Sequence, residues 1–323
     1  MRKYGLPYRG SKSGIADWIV DDILPGGKRL VDLFAGGCAV THCAMTRHRY
    51  KKHLVVDIND VPRLFIDAVN GKYRDEKGWI SREDFFRLKD TDPYVRCCWS
   101  FGNNLQDYMY GRELEPYKKA YHYAVVLDDW SLFETCCPEV CECARKALDG
   151  ISDTRKRRLA FGPAIVKWLK ENGTVEMVEG NPLYSSIKKN KNLQSLQSLE
   201  RLQSLQSLER FERLQSLEYR RMSYEQYEHE DGDVVYADPP YESGNPAYGM
   251  DCVFDTRRFC DWVRSRDYPV YISEYKMPDD FIALGSRRKQ CNYSATSSII
   301  KLEKVFLHEK WIDEWIAKRN LLF

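Results

Sequence analysis

A chain of 323 residues, 43% hydrophobic and 13% aromatic, can bury one large or two modest cores, which excludes a disordered or fibrous protein. There is no run of eighteen apolar residues, and the start, Met1-Arg2-Lys3-Tyr4-Gly5, lacks the apolar stretch of a secretory signal, so the expectation is a cytoplasmic protein without a membrane partner. The net charge of +2 hides a basic middle: from Arg145 to Lys191, eleven Lys and Arg stand against five Asp and Glu, an excess that suits a polyanion such as nucleic acid or simply a solvated face.

In chain order, Pro7-Tyr8-Arg9-Gly10-Ser11-Lys12 reads as a loop carrying a ring and cations, and residues 15–24 have helical spacing stopped by Pro25-Gly26-Gly27. Residues 29–34 read as a buried strand, Ala35-Gly36-Gly37 as a tight turn, 38–45 as a helix and 53–57 as a second strand. Strand, glycine turn, helix, strand, acid is how an α/β sheet holds a nucleoside. Asp57, about twenty residues past the glycines, is placed to accept from ribose hydroxyls, the bland alternative being a helix cap or surface acid. The full G-x-G-x-x-G pattern is absent, so a pyrophosphate at the helix end is not supported.

Residues 61–90 are helical in pattern, with Ser81 as a cap. Residues 98–111 form an aromatic and amide-rich loop, suited to touching bases or to packing a lid. Residues 117–148 read as helix. The cysteines there, Cys136, Cys137, Cys141 and Cys143, lack a second metal-spaced pair, so neither zinc nor any other metal site is expected, and the eleven cysteines are expected to stay reduced. In the basic stretch that follows, with a helix around 164–171, Arg155, Lys156, Arg157, Arg158, Lys188 and Lys189 are the candidate phosphate contacts. Then Leu193–Arg201 recurs as Leu202–Arg210 and more loosely as Phe211–Tyr219. Its apolar residue at every third position matches neither a strand nor one helix face, and heptads are missing; it reads as a low-complexity insertion, a marginal helix or a solenoid-like turn.

Residues 219–224 are a candidate short strand leading into 233–237, which ends in Asp238-Pro239-Pro240-Tyr241. A helix over 255–263 and strands over 269–273 and 298–307 complete the pattern. Alternating elements at both ends with a basic, less regular centre predict a parallel-sheet domain split by an inserted domain. The two prolines fix the backbone and remove two donors, so the turn offers a carboxylate and carbonyl oxygens with a flat ring behind them. That suits a planar amino group, whose lone pair is conjugated with its ring and must be drawn out. Asp238 and the Pro239 carbonyl would accept its two hydrogens, and Tyr241 would stack on the base for about 1–3 kcal/mol. An ordinary proline turn is the bland alternative.

These residues give the chain its resemblance. Tyr8-Arg9-Gly10-Ser11-Lys12, Asp32-Leu33-Phe34-Ala35-Gly36-Gly37, Asp57 and Asp238-Pro239-Pro240-Tyr241, in that order, resemble the Dam-like, alpha-group DNA adenine-N6 methyltransferases over residues 4–72 and 230–307. The resemblance implies an α/β, Rossmann-like S-adenosylmethionine-dependent methyltransferase sheet with an inserted, mostly helical target-recognition domain. Residues 1–93 would form the cofactor-binding part, 94–221 the insert with its repeat at 193–219, and 222–323 the catalytic part. It implies that Tyr8 and Lys12 line S-adenosylmethionine, that Asp32, Phe34 and Gly36 pass beside its methionine end, that Asp238 also meets the cofactor, that Asp57 holds the ribose and that Ile58 flanks the adenine. Asp238, Pro239 and Tyr241 would be catalytic and double-stranded DNA the substrate. A restriction enzyme as partner, a monomer or weak dimer, and a bacterial or phage-encoded origin are further expectations. Two alternatives stay open: methylation of another planar amino group, such as cytosine N4 or RNA, and an idle cofactor fold that only binds DNA.

Overall fold

The computed structural model describes residues 4–6, 8, 10–172, 201, 206, 208, 216–240, 254–292 and 298–320. The chain gathers into two compact units, Met1–Arg74 with Asn103–Leu105 and Ser204–Phe323, and Asp75–Gly102 with Gln106–Gln203. In the first unit α1 (Ala16–Trp18) runs into a π-type turn, Ile19–Ile23, and is followed by β1 (Arg29–Leu33), α2 (Ala39–Arg47), β2 (Lys52–Asp57) and α3 (Val61–Val69). The second unit holds α4 (Arg82–Leu88), α5 (Pro93–Cys98), α6 (Glu115–His122), α7 (Ser131–Cys136), α8 (Pro138–Leu148) and α9 (Thr154–Glu171). The chain returns to the first unit with β3 (Ser216–Arg221), β4 (Asp233–Ala237), α10 (Thr256–Arg264), β5 (Val270–Glu274), β6 (Phe281–Asn292), β7 (Ser298–His308) and α11 (Ile312–Asn320).

Among the described residues the strands form one seven-stranded sheet in the order β3-β2-β1-β4-β5-β7-β6. The five from β3 to β5 are parallel, while β7 runs antiparallel to both β5 and β6. Every residue of β1 and β5 is buried, as a parallel sheet covered on both faces requires. One face packs Leu30, Tyr236 and Tyr271 under α1 and α2, and the other packs Val31, Leu33 and Ile272 under α10. This mixed α/β sheet agrees with the expected Rossmann-like methyltransferase fold.

Register does the positioning. Leu33 of β1 lies opposite Val56 of β2 and Ala237 of β4, so Phe34, Asp57 and Asp238 leave the sheet at the same level of its carboxyl edge.

Several local expectations are corrected. The helical stretch 61–90 is two helices: α3 ends at Val69, just before Gly71 (φ 80°), and α4 starts where Ser81 accepts from the Asp84 amide. The stretch 117–148 breaks at Asp128 (φ 58°) and again at Pro138, which opens α8. The helix expected at 164–171 begins ten residues earlier, capped by Asp153, and carries Pro163 inside it. The strand expected at 219–224 is β3, so the last residues of the third repeat copy, Ser216 to Tyr219, are sheet. The strand β6 and the helix α11 had no counterpart in the sequence reading.

Candidate active site at the carboxyl edge of the sheet

Strand β1 hands over to α2 through a strained turn. Phe34 is left-handed (φ 59°), a conformation that non-glycine residues rarely hold, and its ring packs against Tyr224, Phe254 and Phe259. Gly36 (φ 46°) has the Tyr8 ring where a side chain would start, 2.8 Å from an added Cβ, so only glycine fits there. The N-terminal loop that supplies Tyr8 and Lys12 is tied down elsewhere: the Leu6 amide donates to the Gly37 carbonyl (2.7 Å), the Gly5 amide to His42 Nδ1 (2.8 Å), and the Tyr4 hydroxyl to Asp17 (2.6 Å).

Asp32, buried on β1, accepts from the Thr41 hydroxyl (2.6 Å) and amide (3.3 Å). Thr41 is in the first turn of α2, whose own cap residue Cys38 makes no side-chain cap bond, so Asp32 satisfies that helix start from outside. Burial pushes the Asp32 carboxyl up to about 7, with Asp238 and Asp57 adding to the rise against the Thr41 bonds. Asp57 at the end of β2 accepts the Gly36 amide on one oxygen (2.9 Å) and the Asn59 amide on the other (2.8 Å), which braces the glycine turn, and burial raises its pKa. Beside it Ile58 is 41% exposed, an apolar side chain facing water at a strand end.

The centre of the edge is a group of three charges. Lys12 Nζ, buried, donates to Asp238 Oδ1 at 2.5 Å and lies 3.1 Å from Glu303 Oε1 on β7. Burial opposes the ammonium, but the two carboxylates outweigh it and hold the Lys12 pKa above its usual value. Burial, helped by Glu303, holds Asp238 above the carboxylate range in spite of Lys12. The Asp238 side chain keeps 20% of its surface open, whereas Glu303 keeps none. Lys289 of β6 sits 4.0 Å from Glu303 and donates to the Gly10 carbonyl (3.2 Å).

The structure therefore brings together Tyr8, Lys12, Asp32, Phe34, Gly36, Asp57, Ile58, Asp238 and the buried Pro239 in one unit, through polar contacts, close packing or register around this edge. Tyr241 lies outside the described residues, as do Lys188 and Lys189 and most of the repeat. Glu303 was not foreseen. Its signal is phase: it alternates with Val305 and Leu307, both fully buried, so an inward carboxylate was implied.

One of the phosphate candidates is overturned. Arg157 is buried in the second unit, where its guanidinium donates to the Val125 (2.9 Å), Ala124 (2.8 Å) and Ile151 (3.2 Å) carbonyls and to Asp128 (2.5 Å). Its donors are spent inside the protein. Arg155 and Lys156 on the same helix are exposed and Arg158 is half-buried.

Residues 8–73 match the family model described as D12 class N6 adenine-specific DNA methyltransferase. No curated protein matches the chain. The match spans the loop, the glycine turn and Asp57, whereas Asp238 and Glu303 lie beyond it.

Proposed function

We propose that this chain, whose match supports kinship with the Dam-like adenine methyltransferases and so with an enzyme family acting on DNA, transfers the methyl group of S-adenosylmethionine to the N6 amino group of an adenine turned out of the duplex. The observation that carries the reading is Asp238: a partly open carboxylate, next to the glycine turn in register, that already accepts a nitrogen-borne hydrogen from Lys12.

The residues fit such a methyl donor. At this edge the carboxylates Asp32, Asp57, Asp238 and Glu303 outnumber the cations Lys12 and Lys289, which suits a molecule carrying ammonium and sulfonium charges. Asp57 accepts from the Gly36, Asn59 and Ile58 amides and from the Asn59 side chain, and ribose hydroxyls would share this carboxylate with them. Ile58 would flank the adenine of the donor, and Tyr8 and Gly36 its methionine end. Bound there, the donor supplies an electrophilic methyl group.

The protein's own part is electrostatic. The Asp238 carboxylate and the Pro239 carbonyl accept the two hydrogens of the substrate amino group, which turns its lone pair out of conjugation and stabilises the positive charge as the new bond forms. The raised pKa of Asp238 makes it a better acceptor for the proton then lost. The Lys12 ammonium marks the place where a substrate N–H would donate, and Glu303 gives that ammonium a second partner once the amino group arrives. On this reading Arg155, Lys156, Arg158, Lys188 and Lys189 contribute phosphate contacts.

The test is expression in cells that lack adenine methylation, followed by modification-sensitive DNA sequencing. Methyladenine in a fixed context is expected. Asp238→Ala should lower the rate at least about 100-fold while S-adenosylmethionine still binds; unmodified DNA from the folded wild-type chain, or full activity in the variant, would sink the mechanism.

A further inference from the structure

The pairing of β5 with β7 stops at Glu274 opposite Lys304, but β6 and β7 go on pairing through six more residue pairs, to Asn292 opposite Ser298. At about 3.3 Å per residue this two-stranded ribbon runs roughly 20 Å past the carboxyl edge of the sheet, the edge at which Asp238 sits. From Ser286 to Lys304 the sequence carries five cations, Arg287, Arg288, Lys289, Lys301 and Lys304, against one acid, Glu303, and that acid is turned inward.

The two faces of the ribbon differ. On one, Arg287 lies over the Trp18 ring (6.0 Å) and pairs with Asp22 (3.4 Å), Lys289 donates to Gly10, Lys301 sits over the Tyr275 ring (4.7 Å) and Glu303 meets Lys12. That face anchors the ribbon to the sheet and to the catalytic turn. On the other, Arg288 is opposite Leu302 and Ser286 opposite Lys304, with Ile300 next along β7. Ile300 is 66% and Leu302 48% exposed, and Arg288 is exposed without an ion pair or hydrogen bond among the described residues. The acid in register with this face, Glu274 opposite Lys304, is buried in the sheet, and Lys304 is half-buried over the Phe306 ring (5.9 Å), so beyond it the face shows exposed aliphatic side chains beside the Arg288 cation, which fits a polyanion that also has apolar surface.

We propose that the β6–β7 ribbon is a DNA-gripping arm whose open face, Arg288, Lys304, Ile300 and Leu302, lies along the duplex beside the base being modified. The major groove of B-form DNA is wide enough for a two-stranded ribbon. Cations there meet phosphates or guanine edges, and aliphatic groups meet thymine methyls. The deep, narrow major groove of A-form RNA would not admit it. The assignment rests on the proposed DNA reaction but reads out separately from it.

The experiment measures binding of a labelled DNA duplex to the full chain by fluorescence anisotropy across a salt series, for the wild type, Arg288→Ala and Arg288→Ala/Leu302→Ser, with thermal melting to confirm that each variant folds. The variants should bind about tenfold more weakly, and the slope of log affinity against log salt should fall by about one for the cation removed. Binding of S-adenosylmethionine should not change. Unchanged duplex affinity and slope would overturn the arm, as would equal competition by duplex RNA of the same sequence. Weakened binding by the variants of a chain that transfers no methyl group would support the arm and overturn only the reaction.

Discussion

Each unit of this protein buries cations, and the two sets are held differently. In the first unit Lys12 lies between two carboxylates, Asp238 and Glu303, at the open edge of a sheet. In the second, Arg157 donates to three main-chain carbonyls and Asp128, and Arg201 donates to the Cys97 (3.0 Å), Cys98 (3.3 Å) and Ser100 (2.7 Å) carbonyls at the end of α5. The carbonyls at a helix end lack partners within the helix, and the five fixed donors of a guanidinium can serve several at once. An ammonium is a compact charge on a flexible stem, and carboxylates give it exchangeable partners. Burial and charge alone therefore do not mark a site, and neither do carboxylate partners, since Arg29 at the start of β1 is also buried between two of them, Asp233 and Glu230. What sets Lys12 apart is its place: its carboxylates lie at the carboxyl edge, and Asp238 keeps part of its surface open, whereas the carbonyls around Arg157 and Arg201 belong to the fold.

The strongest way to break this comparison is to remove an architectural cation. Arg157→Ala should destabilise the second unit by roughly 3–5 kcal/mol, because it strands several buried carbonyls and part of an ion pair. Hydrogen exchange resolved by segment should show the loss in α6 to α9. Protection equal to that of the wild type would mean that those carbonyls find other partners and that the distinction fails.

A buried base whose charge is too weakly supported stays neutral. Burial lowers His53 on β2 from 6.5 to about 4, against a smaller rise from the Ser216 backbone. The sign follows. Between those values the unfolded chain takes up a proton that the folded chain refuses, so this contribution to stability is complete above pH 6.5 and is lost as pH falls toward 4. Its size is roughly 3 kcal/mol. Asp32, raised to about 7, works the other way and gains stability as pH falls, so the clean measurement is a difference. The stability of His53→Leu minus that of the wild type should grow by that amount between pH 7 and pH 4 in urea titrations. A difference independent of pH would show that His53 protonates freely in the folded protein.

A smaller effect sharpens the other side. Glu303→Gln removes one of the two carboxylates beside Lys12 and a charge that raises the Asp238 pKa. Methyl transfer should fall about tenfold, the scale of ~1.4 kcal/mol, and the acidic limb of the rate profile should move to lower pH. A loss of rate with an unmoved limb would make Glu303 merely structural.

What was legible in the sequence divides along the same line. Asp32 lies one residue before the end of a short apolar strand, and Gly36, Asp57 and Asp238 end or follow one, so local pattern placed them, and parallel register then aligned the strand ends. Glu303 depends on which face of a long strand is buried, and β6 was hidden because Arg287-Arg288-Lys289 interrupts its apolar pattern; both are settled by cross-strand pairing far along the chain. The repeat shows a different limit. Its composition reads as a low-complexity insertion, yet Arg201 anchors α5, Gln206 donates to the Tyr73 (3.0 Å) and Arg74 (2.9 Å) carbonyls, and Leu208 is 2% exposed. Low complexity describes how a segment varies in sequence, and says little about whether single side chains in it are used.

The smallest expected effect separates neighbours on one helix. Arg155, Lys156, Arg157 and Arg158 read as a uniform basic run, but helical period distinguishes them: Arg157 is in phase with Phe161 and Ile165, four and eight residues on, both buried against the second unit's core. Arg155 and Lys156 point away from that stripe and are exposed. Replacing both with Ala should change stability by no more than about 0.5 kcal/mol, against the several expected at Arg157, while duplex binding should weaken modestly and the salt slope should fall by about two if both meet phosphates. Measured on one set of variants by urea titration and fluorescence anisotropy, the two readouts should move in opposite order along four consecutive residues. Loss of stability at Arg155 and Lys156, or an unchanged salt slope, would return this helix to a single undivided basic face.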